Sequence, residues 1–234
     1  MSNEQFLQGI LQAEYGYRQD GAARRRLASS KFPVAKEWNE IDASINPQIA
    51  FKKVQDLGNG DFIDRRENLC LLGSQGTGKT HSLIALGREL CRKGYSVRFL
   101  TACSLVNILE EAKSLHTLGK VMASLLKPKL LIIDELGFVP FSENGARLLF
   151  DVFASRYEQG SIAISSNLGF KKWGQVFGSV ELTAALVDRL THRSHIFTFQ
   201  GQSARLHNAM SGKTFEAAGV PIIAAPELEG GHIS

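Results

Sequence analysis

The sequence has few cysteines, no long apolar run and no large excess of charge of either sign. Cys70, Cys91 and Cys103 share no metal-ligand spacing, and each lies in or beside an apolar run. We therefore expect buried, reduced thiols. No apolar run approaches the roughly 20 residues that span a bilayer, and the first residues, MSNEQ, are unlike a secretory signal. These absences predict a cytoplasmic protein that has no membrane partner.

The composition is that of an ordinary globular chain. The 234 residues carry 27 Lys and Arg against 23 Asp and Glu, a formal net charge of +4, and 44% of them are apolar. A chain of this length can bury one sizeable core, with or without a small appendage. The mild basicity permits a nucleic-acid partner but does not indicate one by itself.

From residue 67 onward, short apolar runs alternate with helical patterns. The runs end at Leu72, Leu100, Ile133, Ile164 and Phe199. The helical patterns lie near 79–93, 104–126, 144–159 and 181–192. Buried strands that alternate with helices predict an α/β fold with a parallel sheet covered on both faces.

The flanking segments differ from this central part. Apolar residues at spacings of three and four predict a helix at 3–30, and a second helix is expected around 47–56. We therefore divide the chain into an N-terminal helical region, a core and an irregular tail, with bounds 1–45, 46–206 and 207–234.

The segment from Gly73 to Thr80 matches the phosphate-binding pattern G-x-x-x-x-G-K-[ST]. It follows a predicted strand and opens a helix, which is the context that this motif requires. Lys79 is predicted to contact the β and γ phosphates of ATP, and the Thr80 hydroxyl to hold Mg²⁺. A second GKT at 212–214 lacks the upstream glycine and strand, and we interpret it as a coincidence. The residues expected around the phosphates are Gly73, Ser74, Gln75, Gly76, Thr77, Gly78, Lys79, Thr80 and His81.

An apolar run at 130–133 ends in two adjacent carboxylates, Asp134 and Glu135. At the carboxyl edge of a parallel sheet, Asp134 is predicted to hold the Mg²⁺ shell. Glu135 is predicted to polarise the attacking water as a general base. The alternative is a solvated acidic turn after a buried strand. No signature of an acceptor-substrate site is found, so the pair favours an ATPase over a kinase.

Asn167 follows the next predicted strand, at 162–166. An amide in this place, one strand away from Asp134, can hydrogen-bond the γ-phosphate or the attacking water, so Asn167 is a further candidate catalytic residue. The alternative is an asparagine that caps a turn, a common position for this residue type.

Four stretches carry a family resemblance: LLGSQGTGKTHSLIALG, LLIIDELGFVPFSENGARLLFDVFASRYE, SSNLGFKKWGQVFG and LTAALVDRLTHRSHIF. Together with FLQGILQAEYGYRQ and ARRRLASSKFP near the N-terminus, they make residues 5–206 similar to the IstB-type transposition helper ATPases. These are relatives of the DnaC helicase loader in the AAA+ class. The resemblance implies a three-layer P-loop core, ATP and Mg²⁺ as cofactors, and a reduced or absent C-terminal lid.

The resemblance also assigns a role to Arg189. This residue aligns with the arginine finger, which reaches a γ-phosphate bound in the neighbouring subunit and stabilises charge on the transferring phosphoryl group. From the residues alone, the alternative is a helix-surface ion pair with Asp188 or Glu181.

Arg205 occupies the sensor-2 position of the family and is the last candidate catalytic residue, with Arg193 as a weaker competitor. The family usually has an aromatic residue before this arginine, whereas the chain has Ala204. The tail after 206 is too short for a full AAA+ helical lid.

Residues 104–126 are predicted to form two short helices, and the resemblance implies an insertion that favours spiral assembly along DNA. The apolar positions predicted to face the core are Leu105, Ile108, Leu109, Leu118, Val121 and Leu125. The candidate DNA contacts are Arg24, Arg25, Arg26, Lys31, Lys113, Lys120, Lys171 and Lys172. For each of them a solvated basic surface is the alternative. Tyr15, Tyr17 and Phe32 are expected to pack or to form a subunit interface.

The predicted function is an ATP-dependent transposition helper that hydrolyses ATP and forms homo-oligomers with active sites between subunits. Its expected partners are double-stranded DNA, contacted largely without sequence preference, and the transposase of the same mobile element. A DnaC-like helicase loader and a DNA-binding switch with negligible turnover are the alternatives.

Overall fold

A five-stranded, all-parallel β-sheet forms the centre of the computed structural model, which describes residues 3–210. The strands are β1 (Asn68–Leu72), β2 (Val97–Thr101), β3 (Leu130–Asp134), β4 (Ser161–Ser166) and β5 (Ser194–Thr198). Their order across the sheet is β2-β3-β4-β1-β5. This order places β1 and β3, which precede the two predicted nucleotide motifs, on either side of β4.

Helices precede the sheet and connect its strands. They are α1 (Asn3–Ser30), α2 (Phe51–Asp56), α3 (Asp61–Asp64), α4 (Lys79–Arg92), α5 (Ala102–Ser114), α6 (Leu118–Leu126), α7 (Glu143–Arg156), α8 (Gly174–Phe177), α9 (Val180–Thr191) and α10 (Ala204–Met210). Single 3₁₀ turns lie at Trp38–Glu40, Ala43–Ile45, Leu57–Asn59 and Phe170–Lys172.

Two apolar clusters cover the two faces of the sheet. Alternate residues of each strand point to opposite faces, so Leu69 and Leu71 of β1 pack with α4 on one face, while Cys70 packs with the other cluster. That second cluster contains apolar side chains of α5, α7 and α9. The predicted three-layer α/β core with a parallel sheet covered on both faces is therefore confirmed.

The predicted element order is confirmed, with small shifts at the ends of elements. The segment 104–126 does form two helices, α5 and α6. All six apolar positions predicted there are buried or packed against the core. The helix expected around 47–56 begins only at Phe51.

In the described part of the chain, the N-terminal helix packs on the core through its C-terminal part and through the residues that follow it. Arg26 Nε donates to the Cys91 carbonyl at 2.7 Å, and the rings of Phe32 and Phe99 lie 5.9 Å apart. Tyr15 and Tyr17 are 67% and 75% exposed. The packing role predicted for Phe32 is confirmed, whereas the two tyrosines are not packed against the described part of the chain.

Two expectations change. Cys103 is exposed, because it lies on α5 opposite the buried face formed by Leu105 and Leu109. The expectation that all three thiols are buried is therefore wrong for this one. Helix α10 continues through the boundary placed at 206, and the GKT at 212–214 and the rest of the tail lie outside the described residues. No helix within residues 3–210 has the length and apolarity to cross a membrane.

Candidate functional site

The loop between β1 and α4 is closed around the amine of Lys79. Its Nζ donates to the carbonyl oxygens of Gly73 and Ser74, each at 2.6 Å. The start of the loop is held on the sheet, because the Gly73 N–H donates to the Ser166 carbonyl at 3.0 Å. The lysine is 8% exposed, and its present acceptors are neutral carbonyls that phosphate oxygens could replace.

Two glycines of this loop leave no room for a side chain. Gly73 has φ of +142°, and a Cβ there would lie 2.1 Å from the Phe199 carbonyl oxygen. Gly76 has φ of +76°, and a Cβ there would lie 2.1 Å from the Ser203 hydroxyl. Glycine adopts such angles at little cost. The loop therefore depends on these residues both for its backbone angles and for its close approach to the segment at 199–203.

Asp134 ends β3 beside Thr80, the second residue of α4. The Thr80 hydroxyl donates to Asp134 Oδ1 at 3.0 Å, and the aspartate is 2% exposed. Burial raises the pKa of Asp134, and hydrogen bonds from Ser165 and Thr80 oppose that rise. The structure thus brings together the two predicted metal ligands.

These two side chains fit a magnesium ion. Mg²⁺ prefers oxygen ligands, and it commonly takes one or two from the protein and the rest from water and substrate phosphates. Thr80 supplies a hydroxyl and Asp134 a carboxylate. Within residues 3–210, no group of three or more His, Cys, Asp or Glu side chains could hold a metal by itself.

The two polar residues predicted to act on water lie at the same edge of the sheet. Glu135, next to Asp134, is exposed and has φ of +58°. Asn167 follows directly after β4 and is half-buried. Its Oδ1 is buried and has no hydrogen-bond partner in the described part of the chain. An unpartnered buried acceptor of this kind is unfavourable unless a ligand or water satisfies it.

Arg205 comes close to the phosphate loop. The Ala204 N–H donates to the Gly76 carbonyl at 2.9 Å, so α10 begins directly beside the loop. Burial lowers the pKa of Lys79 to about 8; Asp134 opposes the shift and the charge of Arg205 adds to it. Since the contact at position 204 is made by the backbone, an alanine there can form it.

Arg189 does not belong to this group of residues. It belongs to α9, which packs on the sheet face opposite α4. Its guanidinium carbon lies 5.1 Å from the centre of the Phe150 ring, and Nη1 donates to the Ala185 carbonyl at 3.2 Å. The ion pair with Asp188 or Glu181 is not formed.

The structure does not bring the His81 side chain to the loop. Its Nε2 lies 2.8 Å from the carbonyl oxygen of Glu37, in the segment between α1 and α2. The Glu37 carboxylate in turn pairs with Arg88 and Arg92 of α4. His81 therefore joins the N-terminal region to the helix that opens at the phosphate loop, and only its backbone lies in the first turn of that helix.

The sequence analysis missed three residues that border the site. Ser165 contacts both carboxylate residues. Ser203 lies against Gly76, and Phe51 lies beside Gly78. The serines at the end of β4 were visible as polar residues in an apolar run, whereas nothing local marks Phe51, whose place depends on the fold of the N-terminal segment.

The predicted DNA-contact residues differ in whether their side chains are bound to other groups of the protein or exposed to solvent. Arg26 is bound to the Cys91 carbonyl, and Lys113 is hydrogen-bonded to Asn144. The other predicted positions have exposed side chains, namely Arg24, Arg25, Lys31, Lys120, Lys171 and Lys172.

Comparison with proteins of known sequence identifies close relatives. An insertion sequence IS5376 putative ATP-binding protein of Geobacillus stearothermophilus is 38% identical over 206 residues, which cover 88% of this chain and 82% of the relative. An insertion sequence IS21 putative ATP-binding protein of Pseudomonas aeruginosa is 36% identical, with coverage of 88% and 78%.

Solved structures share the fold. The DnaC helicase loader superposes with a TM-score of 0.56 at 17% identity, over 75% of this chain and 98% of that one. The AMPPCP-bound DnaA of Aquifex aeolicus gives 0.60 at 23% identity, and the match covers 78% of this chain but only 55% of that one. These identities support a common AAA+ fold and nothing finer.

The family comparison agrees with the geometry of the loop, the paired carboxylates and the parallel sheet. The family described as IstB-like ATP binding protein matches residues 1–212. The chain belongs to this family of ATP-binding proteins of insertion sequences, and it shares the fold of the DnaC and DnaA structures.

Proposed function

We propose that this chain is an ATP-hydrolysing helper of DNA transposition whose active site is completed by a neighbouring copy. One observation carries the proposal. Lys79, Thr80, Asp134 and Glu135 lie together at the carboxyl edge of the sheet, while Arg189 lies on the face opposite the phosphate-loop helix. An arginine in that position is remote from its own nucleotide site but available to a second subunit.

Within one subunit, each residue has a distinct task. The Lys79 amine, now bound to two carbonyls, would move to the β and γ phosphates. The Glu135 carboxylate would orient and deprotonate water, and Asn167 would accept from that water through its unpartnered amide oxygen or donate to the γ-phosphate through its amide N–H groups. Thr80 and Asp134 would hold magnesium, which supplies positive charge to the phosphate oxygens.

Arg189 can act as an arginine finger only in a homo-oligomer, where it reaches the nucleotide of a neighbouring subunit. Its guanidinium rests on Phe150, so it has a defined position in a single subunit but no anionic partner among the described contacts. Arginine supplied from a neighbour stabilises the charge on the transferring phosphoryl group. We therefore propose active sites at subunit interfaces, with DNA bound by the assembly through exposed lysines and arginines and largely without sequence preference.

The partner we propose is the transposase of the same mobile element, because the relatives are ATP-binding proteins of insertion sequences. A helicase loader is the alternative, but the likeness to DnaC is one of fold, at 17% identity. Capture of the purified transposase, and not of a replicative helicase, by the ATP-bound protein distinguishes them. We place the protein in the cytoplasm, where this DNA and this partner would be met.

Subunit mixing tests the shared active site. Glu135→Gln and Arg189→Ala should each lower the rate of ATP hydrolysis in the presence of DNA by about 100-fold or more. Both should keep the affinity for ATP, because neither residue belongs to the phosphate loop. The Arg189→Ala protein still has Glu135, and the Glu135→Gln protein still has Arg189. In a mixture, an interface that combines these two residues is a complete active site. An equimolar mixture should therefore recover up to about a quarter of the wild-type rate if subunits mix at random.

Arg147→Ala is the matched control, since this exposed arginine pairs with Glu143 one turn away on α7. It should retain hydrolysis in every mixture. Mixtures without any recovery would contradict a finger that acts between subunits. A wild-type protein that binds ATP but shows no turnover with DNA would instead support a nucleotide-dependent switch.

A further inference from the structure

The serine at the penultimate position of β4 links the two carboxylate residues of the site. The paired register of β3 and β4 ends at Ile133 and Ile164. One residue further, the Ser165 hydroxyl contacts a carboxylate oxygen of Asp134 and lies 3.0 Å from the Glu135 nitrogen. A side chain therefore adds to the connection between the two strands beyond their last paired residues.

The direction of these hydrogen bonds follows from their chemistry. The Glu135 N–H can only donate, so the Ser165 oxygen accepts from it. The single hydroxyl proton of Ser165 then goes to the carboxylate of Asp134. The Leu136 N–H also donates to the Ser165 carbonyl, at 2.9 Å. This serine thus binds three successive residues through both its side chain and its backbone.

The backbone of Glu135 needs such support. Its φ of +58° lies in the left-handed region, which is uncommon for residues other than glycine and is unfavourable by about 1 kcal/mol or more. The carboxylate itself is exposed, so its direction depends on the backbone from which it projects. The hydrogen bond to Ser165 holds that backbone directly.

Asp134 also depends on this serine. Its Oδ1 accepts from both Thr80 and Ser165, but the Thr80 oxygen is the atom expected to turn to magnesium. Ser165 is 2% exposed, and its hydroxyl proton is already donated to Asp134. It is therefore the hydroxyl that continues to hold Asp134 when Thr80 is engaged.

We propose that Ser165 is a positioning residue that sets the orientation of both Asp134 and Glu135. The proposal rests on the proposed function, since it concerns the same site. It deepens that function by assigning the alignment of the metal-binding and the water-activating carboxylates to one buried hydroxyl on the neighbouring strand.

Ser165→Ala tests this role through hydrolysis and metal dependence. The variant should lose about 10- to 100-fold in kcat, because Glu135 is no longer held in place, while its affinity for ATP in EDTA stays unchanged. The concentration of Mg²⁺ that gives half-maximal nucleotide binding should rise at least about threefold. Ser165→Thr, which keeps the hydroxyl, should recover most of both losses.

Two comparisons separate positioning from a general loss of stability. Ser161→Ala is the control, because this buried serine lies at the other end of the same strand and its hydroxyl has no partner in the described part of the chain. It should leave kcat and the Mg²⁺ dependence unchanged. In a Glu135→Gln background at saturating Mg²⁺, Ser165→Ala should add little further loss of hydrolysis, since the water-activating carboxylate is already absent and the excess Mg²⁺ offsets the weaker hold on Asp134.

The outcomes are decisive in each direction. A Ser165→Ala protein with kcat and Mg²⁺ dependence within twofold of the wild type overturns the proposal. So does an equal loss in Ser161→Ala, or a full additional loss in the Glu135→Gln background. If the wild type itself does not hydrolyse ATP, the proposed function fails, and the Mg²⁺ titration of nucleotide binding still decides the role of Ser165 at Asp134.

Discussion

The two edges of the parallel sheet differ in the partners of several charged and amide side chains. At the amino edge, the Asn68 side chain accepts from the Ile162 N–H at 2.9 Å and donates to the Leu190 carbonyl at 3.1 Å. Glu67 nearby pairs with Arg65 and His195. At the carboxyl edge, Lys79 is bound only to carbonyls of its own loop, and the buried oxygen of Asn167 has no described partner.

This difference separates groups that hold the fold from groups available to a ligand. Polar groups that satisfy one another inside the protein have no capacity left for a substrate, and their replacement is expected to change stability. Groups that are buried with incomplete hydrogen bonding are stabilised when phosphate or water supplies the missing hydrogen bonds. The comparison predicts that substitutions at the carboxyl edge change nucleotide binding, whereas those at the amino edge change the free energy of unfolding.

The largest effect is expected for Lys79→Ala, at the carboxyl edge. Loss of a charge-assisted contact to the phosphates should weaken ATP binding by about 100- to 1000-fold, measured by calorimetry. Because the pKa of Lys79 is lowered to about 8, the amine loses its proton as the pH rises through that value. Wild-type affinity for ATP should therefore fall above about pH 8, and the variant should lack this dependence.

Lys93→Ala is the control for that substitution. Lys93 follows the other end of the same helix, is exposed, and forms an i,i+4 ion pair with the half-buried Glu89. Its replacement should leave ATP affinity unchanged at every pH. Unaltered ATP binding by the Lys79→Ala protein would remove the basis for the phosphate site.

A smaller effect, on stability alone, is expected for Arg156→Leu at the amino edge. Arg156 is 1% exposed. Its guanidinium donates to the carbonyls of Leu125, Pro128, Lys129 and Ser161. Leaving these acceptors unpaired should lower the free energy of unfolding by about 2 kcal/mol, measured by urea denaturation. ATP affinity at 25 °C should stay unchanged.

Arg147→Leu on the same helix is the matched control, since Arg147 is exposed and only pairs with Glu143 one turn away. The urea concentration at which half of this variant is unfolded should differ little from that of the wild type. If Arg156→Leu left stability unchanged but weakened ATP binding, the contrast between the two edges would be wrong.

The smallest effect is expected for Glu67→Gln. The hydrogen bond from Arg65, assisted by His195, lowers the pKa of Glu67 from 4.5 to about 2. A lowered carboxyl pKa stabilises the fold above the unfolded-state value, and this contribution is lost as the pH falls through the folded-state value. The stability difference between wild type and variant should be below about 1 kcal/mol at pH 7 and should shrink between pH 5 and pH 2.

Urea denaturation of both proteins across that pH range measures the difference. A stability difference that grows as the pH falls would contradict a stabilising interaction of the Glu67 carboxylate with Arg65 and His195. Protonation of Glu67 removes that interaction in the wild type as well.

Much of the site was predictable because its signals are local. The loop from Gly73 to Thr80 needs small residues, a lysine and a hydroxyl at set spacing, and the carboxylates follow an apolar strand that is recognisable by itself. Arg205 was predicted from family likeness, and its position beside Lys79 depends on a backbone contact of Ala204. By contrast, the contacts of Ser165 and His81 join residues 30 or more positions apart.

The sequence by itself determined the alternation of strands and helices, the phosphate loop and the paired acidic residues, because each is specified by neighbouring residues and by the period of apolar positions. Only the tertiary structure decided which polar groups meet. The strand order places β4 between β1 and β3, so Ser165 reaches Asp134 and Glu135. The two faces of the sheet separate Arg189 from its own loop, since the side on which a helix packs depends on long-range burial and not on local pattern.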